Sequence, residues 1–191
     1  MQSNSPIKYF IIALRNRLGF NEKVFNTRLL VSQDDMVLAA QKFHNRLFQV
    51  NSDKRPILLN QSGSGWNPVD STKYFLNRKI VLLTRDPRDQ FAELKMIKQA
   101  RSVEGFIDWY KELQRRLEKI SNPDVLHLRF EEFVNNNEEM INVLCTHMSL
   151  NPNILSNYDP NLSRKNIGKY KDFLSHKEID VIQKDLSKYI N

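Results

Sequence analysis

Apolar and polar residues follow two patterns along the chain, one helical and one of short continuous apolar runs. After Ser32, apolar side chains recur at helical spacing as far as Leu47, which predicts a helix. Four consecutive apolar residues between Lys79 and Thr84 predict a strand that is buried on both faces at the centre of a sheet. The pattern also predicts helices over residues 7–18, 70–77, 87–100, 102–117, 138–148 and 175–190, and strands over residues 56–60 and 124–129.

This alternation of strands and helices predicts an α/β layer fold with a largely parallel sheet. Helix-start signals support it, because Ser175 and Glu178 have the spacing of a capping box and Pro87 suits a first helical position behind Asp86 as cap. No repeat or shift in composition divides the chain. We therefore expect a single domain over residues 1–191.

Arg85 follows the 79–84 strand directly and precedes the Pro87 helix. Open parallel sheets bind ligands beyond the carboxyl ends of their strands, so Arg85 is a candidate binding residue. Its guanidinium could bind a phosphate by two-point contact, helped by the free N–H groups of the helix amino end. The alternative is a capped strand-to-helix turn with a solvated arginine.

Composition indicates the charge of an expected partner and excludes several classes of protein. The 191 residues include 29 Lys and Arg against 22 Asp and Glu, a net charge of +7 that suits an anionic partner or reflects a surplus of surface lysines. There is no run of five basic residues, so we expect no nucleic-acid partner. A single Cys excludes a disulfide scaffold and indicates a reducing, cytoplasmic compartment. Residues 9–14 form the longest apolar stretch, too short to span a membrane, and no metal-ligand spacing occurs.

Four segments resemble the sulfotransferase family in that family's order. Residues 79–89, Lys-Ile-Val-Leu-Leu-Thr-Arg-Asp-Pro-Arg-Asp, resemble the strand and loop that bind the 3′-phosphate of 3′-phosphoadenosine 5′-phosphosulfate. Residues 125–133 are similar to the family's strand with its Arg-Tyr-Glu-Asp-Leu element, and residues 140–150 to the helix after it. Residues 163–171, the late loop, are similar to the basic loop that closes over the 3′-phosphate.

The resemblance covers about residues 56–190 and implies a three-layer P-loop-type domain. It implies that Arg85, Arg164 and Lys165 bind the nucleotide. It also implies transfer of a sulfuryl group from 3′-phosphoadenosine 5′-phosphosulfate to a hydroxyl or amine of a carbohydrate or small molecule, without a metal. Two alternatives are an inactive or structural nucleotide-binding relic of the fold and a basic adaptor protein without a nucleotide site.

The chain departs from the family pattern at its amino end. Nothing before residue 30 resembles the family's first strand and its Lys/Arg-Ser-Gly-Thr-Thr-like phosphate loop, which grips the 5′-phosphosulfate. Residues 61–66 echo that loop, but Gln61 stands where a cation is needed. We therefore expect an N-terminally incomplete domain, either a fragment of a longer product or a natural short form that has lost activity.

The catalytic base and the residue at position 93 are further departures. Residues 56–66, interpreted as the border of the acceptor site, offer no competent base. Some relatives use a carboxylate after the first helix, which makes Asp34 and Asp35 candidates, although both also suit the first turn of the Ser32 helix. Glu93 stands where the family usually has a Ser that binds the 3′-phosphate, and its carboxylate would repel a phosphate unless it turns away.

Overall fold

The structure is a computed structural model, and it describes residues 32–49, 57–59, 65–151 and 158–190. Two strands and nine α-helices lie in these ranges, followed by a 3₁₀ turn at Ser187–Tyr189. The strands are β1 (Ile80–Thr84) and β2 (Val125–Arg129), and the helices are α1 (Gln33–Gln49), α2 (Pro68–Ser71), α3 (Pro87–Met96), α4 (Val103–Leu117), α5 (Phe130–Asn135), α6 (Asn137–Met148), α7 (Pro160–Arg164), α8 (Tyr170–Phe173) and α9 (His176–Asp185). The chain divides into the compact units Met1–Leu38 and Ala39–Asn191, and α1 begins in the first and continues into the second.

The two described strands pair in parallel, from Ile80 opposite Val125 to Thr84 opposite Arg129. This pairing confirms a mixed fold of helices with a small parallel sheet. The connection from β1 to β2 runs through the helices α3 and α4, as a crossover between parallel strands requires. The predicted three-layer P-loop-type arrangement, with its first strand and phosphate loop missing, stays a prediction, because residues 1–31 lie outside the described residues.

The expectation that β1 is buried on both faces is wrong. Ile80 is buried, but Leu83 is 58% exposed and Val81 36% exposed on the opposite face. Successive side chains of a strand point to opposite faces, and a run of four apolar residues does not show how many faces are covered. Within the described part of the chain β1 has β2 as its one strand partner, so its central position in a sheet is not seen.

Two further elements differ from the sequence pattern. Residues 57–59 have no strand structure, and Leu58 is 86% exposed. This run has no strand partner among the described residues, and an unpaired apolar run gains nothing from an extended conformation. Helix α2 ends at Ser71 instead of reaching Asn77. The Thr72 hydroxyl donates to the carbonyl of Pro68 at 2.8 Å, a local bond that competes with continued helix. The predicted helix over residues 7–18 lies outside the described residues.

The core that positions the site is made by α3, α4 and α9. Phe91 and Phe106 lie in it with ring centroids 5.1 Å apart, and Ile182 of α9 is fully buried against the same cluster. Caps fix the amino ends of these helices, and the sequence predicts those at Asp86 and Ser175. The side chains of Asp86, Ser102 and Ser175 accept backbone N–H groups of α3, α4 and α9, and Glu178 completes the capping box with Ser175.

Candidate functional site

Arg85 lies where β1 ends and α3 is about to begin, as the sequence predicts. Two residues separate the strand from the helix, and the second of them, Asp86, is the cap of α3. The Tyr110 hydroxyl donates to the backbone carbonyl of Arg85 at 3.2 Å and fixes this turn against α4. Burial raises the pKa of Tyr110, so its hydroxyl keeps the proton that this hydrogen bond uses.

The guanidinium of Arg85 is held inside the protein by three groups. One terminal nitrogen donates to the Glu93 carboxylate at 2.6 Å, and the other donates to the backbone carbonyl of Asn166 at 2.5 Å. The ring of Phe130 lies beneath it, with its centroid 5.2 Å away. The side chain is only 20% exposed, so these contacts fix both its position and its direction.

Carboxylates already occupy the amino end of α3. Asp86 Oδ1 accepts the backbone N–H of Arg88 at 2.8 Å, and the Arg88 guanidinium grips the same carboxylate through two nitrogens at 3.0 and 2.6 Å. The hydrogen bond from Asp86 raises the pKa of Arg88, and burial only partly offsets it. The backbone N–H of Asp86 donates to Glu131 at 2.8 Å. The amino end of α3 therefore has fewer groups available for a phosphate than its sequence suggested, because Asp86 already pairs with Arg88 there.

Asp89 joins the start of α3 to the late loop (residues 163–171). Its carboxylate is 2% exposed and accepts the backbone N–H groups of Gly168 and Tyr170, each at 2.8 Å. Gly168 adopts a φ of +76°, a conformation that glycine reaches without strain. The Tyr170 ring then lies under the Arg88 guanidinium, 4.4 Å from its carbon. Asp89 thereby places the carbonyl of Asn166 within reach of Arg85.

The sequence did not single out Asp89, although a signal was present. Asp89 and Glu93 stand four residues apart on α3, so they lie one turn apart on the same face of the helix. One carboxylate holds the late loop and the other holds Arg85. Two acids at this spacing, directly after Arg85, indicate a face of α3 that receives other segments of the chain.

Arg164 and Lys165 lie immediately before the residue that contacts Arg85. Arg164 is the last residue of α7 and donates to the side chain of Asn161 at 3.2 Å, and Lys165 follows it as the cap. Both side chains are exposed. The late loop thus contacts Arg85 through the backbone carbonyl of Asn166, and Arg164 and Lys165 directly precede this residue in the chain. Their role in nucleotide binding stays a prediction.

A cavity of about 680 Å³ opens beside this turn. Residues that line it carry both charges, among them Asp86, Arg88, Arg129, Glu131 and Lys171. One oxygen of Glu131 and the Nε of Arg129 are buried without a hydrogen-bond partner among the described residues. The cavity lies between the end of β2 and the late loop. Asp86, the residue after Arg85, also lines it.

Asp34 and Asp35 lie in the first turn of α1, and both are exposed. The backbone N–H of Asp35 donates to the Ser32 hydroxyl at 3.0 Å, and that hydroxyl donates back to the Asp35 carboxylate at 2.6 Å. This geometry is that of a helix start, the alternative that the sequence left open. A catalytic role for either residue stays a prediction. Asn60, Gln61 and Ser62, the polar residues at the expected acceptor border, lie outside the described residues.

The described ranges contain neither a candidate metal cluster nor a membrane-spanning helix. Within them, no group of three or more His, Cys, Asp and Glu side chains is arranged to hold a metal ion. None of the helices in the same ranges combines the length and the apolar character needed to cross a membrane.

Comparison with known proteins places the chain in a family. A model described as "Sulfotransferase family" matches residues 15–152, which is 138 of the 191 residues. The chain belongs to this family of sulfuryl-transferring proteins, as the sequence resemblance predicted. No curated protein and no solved structure gave a significant match. The matched range contains Arg85, Asp89 and Glu93, whereas Arg164 and Lys165 lie beyond it.

Proposed function

We propose that the chain binds the 3′-phosphate of 3′-phosphoadenosine 5′-phosphosulfate at Arg85, with Arg164 and Lys165 of the late loop adding positive charge. The observation that carries this proposal is the position of Arg85. It stands at the carboxyl end of a parallel strand, and the late loop returns to it through Asn166. Ligands of open α/β sheets bind beyond such strand ends.

The fixed geometry of Arg85 suits recognition of a phosphate. A guanidinium offers several N–H donors in a rigid plane and matches a phosphate by two-point contact. Here Phe130, Asn166 and the surrounding chain leave the side chain 20% exposed, so a phosphate would meet an ordered, poorly hydrated cation. A charged hydrogen bond in such surroundings is stronger than one in water.

The proposed reaction is sulfuryl transfer to a hydroxyl or amine of a carbohydrate or small molecule. The acceptor oxygen or nitrogen forms a bond to sulfur as the bond from sulfur to the phosphate oxygen breaks, and the acceptor proton leaves. Adenosine 3′,5′-bisphosphate is then the second product. Asp34 and Asp35 remain the candidates for the base that takes the proton, and a cytoplasmic location remains a prediction from the single cysteine.

A second candidate function is a nucleotide-binding or structural relic without turnover. The pairing of Glu93 with Arg85 at 2.6 Å favours it, because an internal carboxylate then uses the group that would bind the phosphate. An assay with labelled 3′-phosphoadenosine 5′-phosphosulfate and a panel of sugar, phenol and amine acceptors separates the two. Labelled acceptor supports the enzyme, and bisphosphate binding without labelled acceptor supports the relic.

The binding proposal itself is tested by calorimetric titration with adenosine 3′,5′-bisphosphate and adenosine 5′-monophosphate, which differ only in the 3′-phosphate. We expect the bisphosphate to bind at least about tenfold more tightly, since one desolvated charged contact contributes more than 1.4 kcal/mol. Arg164→Ala and Lys165→Ala should each weaken only the bisphosphate, with Lys119→Ala as the charge-matched control. Equal affinities for the two nucleotides would overturn the proposal.

A further inference from the structure

Glu93 already occupies the position where Arg85 would bind an anion. Its carboxylate oxygen lies 2.6 Å from a terminal nitrogen of the guanidinium, the contact that a phosphate oxygen would make. We propose that Glu93 is an internal occupant of the Arg85 site, which a nucleotide phosphate must displace, and that it thereby sets the affinity of the site. This inference rests on the function proposed above, in which Arg85 binds the 3′-phosphate.

The two acceptors of the Arg85 guanidinium differ in how firmly they are held. The carbonyl of Asn166 belongs to a backbone that Asp89 anchors through the N–H groups of Gly168 and Tyr170. Glu93 is an acceptor on a flexible side chain, and Arg85 is the partner that the structure gives it. An incoming phosphate therefore takes the place of the Glu93 carboxylate and leaves the carbonyl of Asn166 bonded.

The exposed fractions of the two side chains indicate that Glu93 moves and Arg85 stays in place. The Glu93 side chain is 64% exposed, whereas the Arg85 side chain is 20% exposed. Glu93 can rotate into water and recover its hydration, while Arg85 stays between Phe130 and Asn166. Glu93 thus acts as a latch on a preformed cation.

The latch lowers the affinity for nucleotide without abolishing it. A ligand that binds only the open form has its affinity reduced by the fraction of molecules that are open. Because Glu93 is 64% exposed, its ion pair with Arg85 is open to water on the carboxylate side. Such pairs contribute up to roughly fivefold in an equilibrium constant, so the open form remains accessible. The wild-type chain should bind the bisphosphate, but less tightly than a chain without the carboxylate.

The test is a calorimetric titration of adenosine 3′,5′-bisphosphate into wild type, Glu93→Gln and Glu112→Gln at one salt concentration. Glutamine keeps the size of the side chain and removes its charge. Glu112 is the matched control, because it also forms surface ion pairs with arginines, Arg115 and Arg116, and its replacement changes the net charge equally. We expect about fivefold tighter binding in Glu93→Gln and no change in Glu112→Gln. Equal tightening in both variants would mean that only net charge matters and would overturn the latch.

A second arm separates displacement from simple repulsion. In an Arg85→Ala background, Glu93 has no guanidinium to occupy, so Glu93→Gln should then give no tightening. The same tightening with and without Arg85 would overturn the latch and leave Glu93 as a repelling charge. Failure of the proposed function looks different: wild type would bind bisphosphate and monophosphate equally.

Glu93→Ser, which shortens the side chain so that it no longer reaches Arg85, should tighten bisphosphate binding at least as much as Glu93→Gln. Weaker bisphosphate binding in both variants would contradict the latch.

Discussion

The buried carboxylate of Asp89 accepts the backbone N–H of Gly168 at 2.8 Å, although the two residues stand 79 positions apart in the chain. With the second bond, from the N–H of Tyr170, this contact ties the first turn of α3 to the late loop. Because Asn166 lies two residues before Gly168, the same tie places a carbonyl against Arg85. The position of the Asn166 carbonyl against Arg85 therefore depends on Asp89.

Replacing Asp89 should destabilise the protein strongly. Asp89→Ala leaves two N–H groups without this acceptor, the buried one of Tyr170 and the part-buried one of Gly168, and a buried unsatisfied group costs about 1 to 3 kcal/mol. We expect the free energy of unfolding in urea to fall by about 2 to 5 kcal/mol. Asp89→Asn, which keeps one acceptor oxygen, should lose less.

The control for this experiment is Asp108→Ala, which removes an exposed carboxylate from α4. Exposed substitutions usually change stability by no more than about 0.5 kcal/mol. Similar losses in Asp89→Ala and Asp108→Ala would show that the late loop is not anchored as described.

Gly168→Ala should strain the late loop without creating a clash. A Cβ at this position meets no atom within 4 Å, but the backbone has a φ of +76°. An L-residue in this region costs about 1 to 2 kcal/mol, which urea unfolding would report. Gly65→Ala is the comparison, because its Cβ would make an ordinary contact 3.8 Å from Leu113 and no positive φ is involved. Equal stabilities of the two variants would contradict the assigned conformation.

Local signals in the sequence predicted much of this fold, and long-range contacts account for what they missed. The caps at Asp86 and Ser175 and the strand before Arg85 depend on residues close in sequence, and the structure confirms them. The tie from Asp89 to Gly168 joins distant residues, so the local spacing of Asp89 and Glu93 indicates a receiving face on α3 but does not identify the segment that it binds. The apolar run at residues 56–60 predicts a strand, whereas its described residues 57–59 form none, because strand formation depends on a partner that the run itself does not specify.

The Ser175 capping box gives a prediction that sequence and structure share. The Ser175 hydroxyl accepts the N–H of Glu178 at 3.3 Å, and the Glu178 carboxylate accepts the N–H of Ser175 at 2.9 Å. Ser175→Ala should lower the free energy of unfolding by about 1 kcal/mol. The exposed loop residue Ser121 provides the control, Ser121→Ala. A stability of Ser175→Ala equal to that of Ser121→Ala would contradict a contribution of the box to α9.

Protonation of Glu112 at acid pH should lower the free energy of unfolding. Hydrogen bonds from Arg115 and then Arg116 lower the pKa of Glu112 from 4.5 to about 2. A carboxyl whose pKa is lower in the folded state stabilises that state above its unfolded pKa, and the contribution disappears as the pH falls from about 4.5 to about 2. Wild type should therefore exceed Glu112→Gln in stability at about pH 6, and the difference should shrink towards about pH 2. A difference independent of pH would exclude this cause.

The nucleotide preference of Arg85 variants tests the central claim most directly. The quantity to measure is the ratio of the affinities for adenosine 3′,5′-bisphosphate and adenosine 5′-monophosphate in wild type, Arg85→Ala, Arg85→Lys and the charge-matched control Arg115→Ala. Circular dichroism melts confirm that each variant is folded. If Arg85→Ala does not fold, Arg85→Lys, which keeps the charge but not the two-point contact, provides the test. We predict that the preference for the bisphosphate falls at least about tenfold in Arg85→Ala, falls partly in Arg85→Lys and persists in Arg115→Ala. A preference that is unchanged in both Arg85 variants, or lost equally in Arg115→Ala, would contradict recognition of the 3′-phosphate by Arg85.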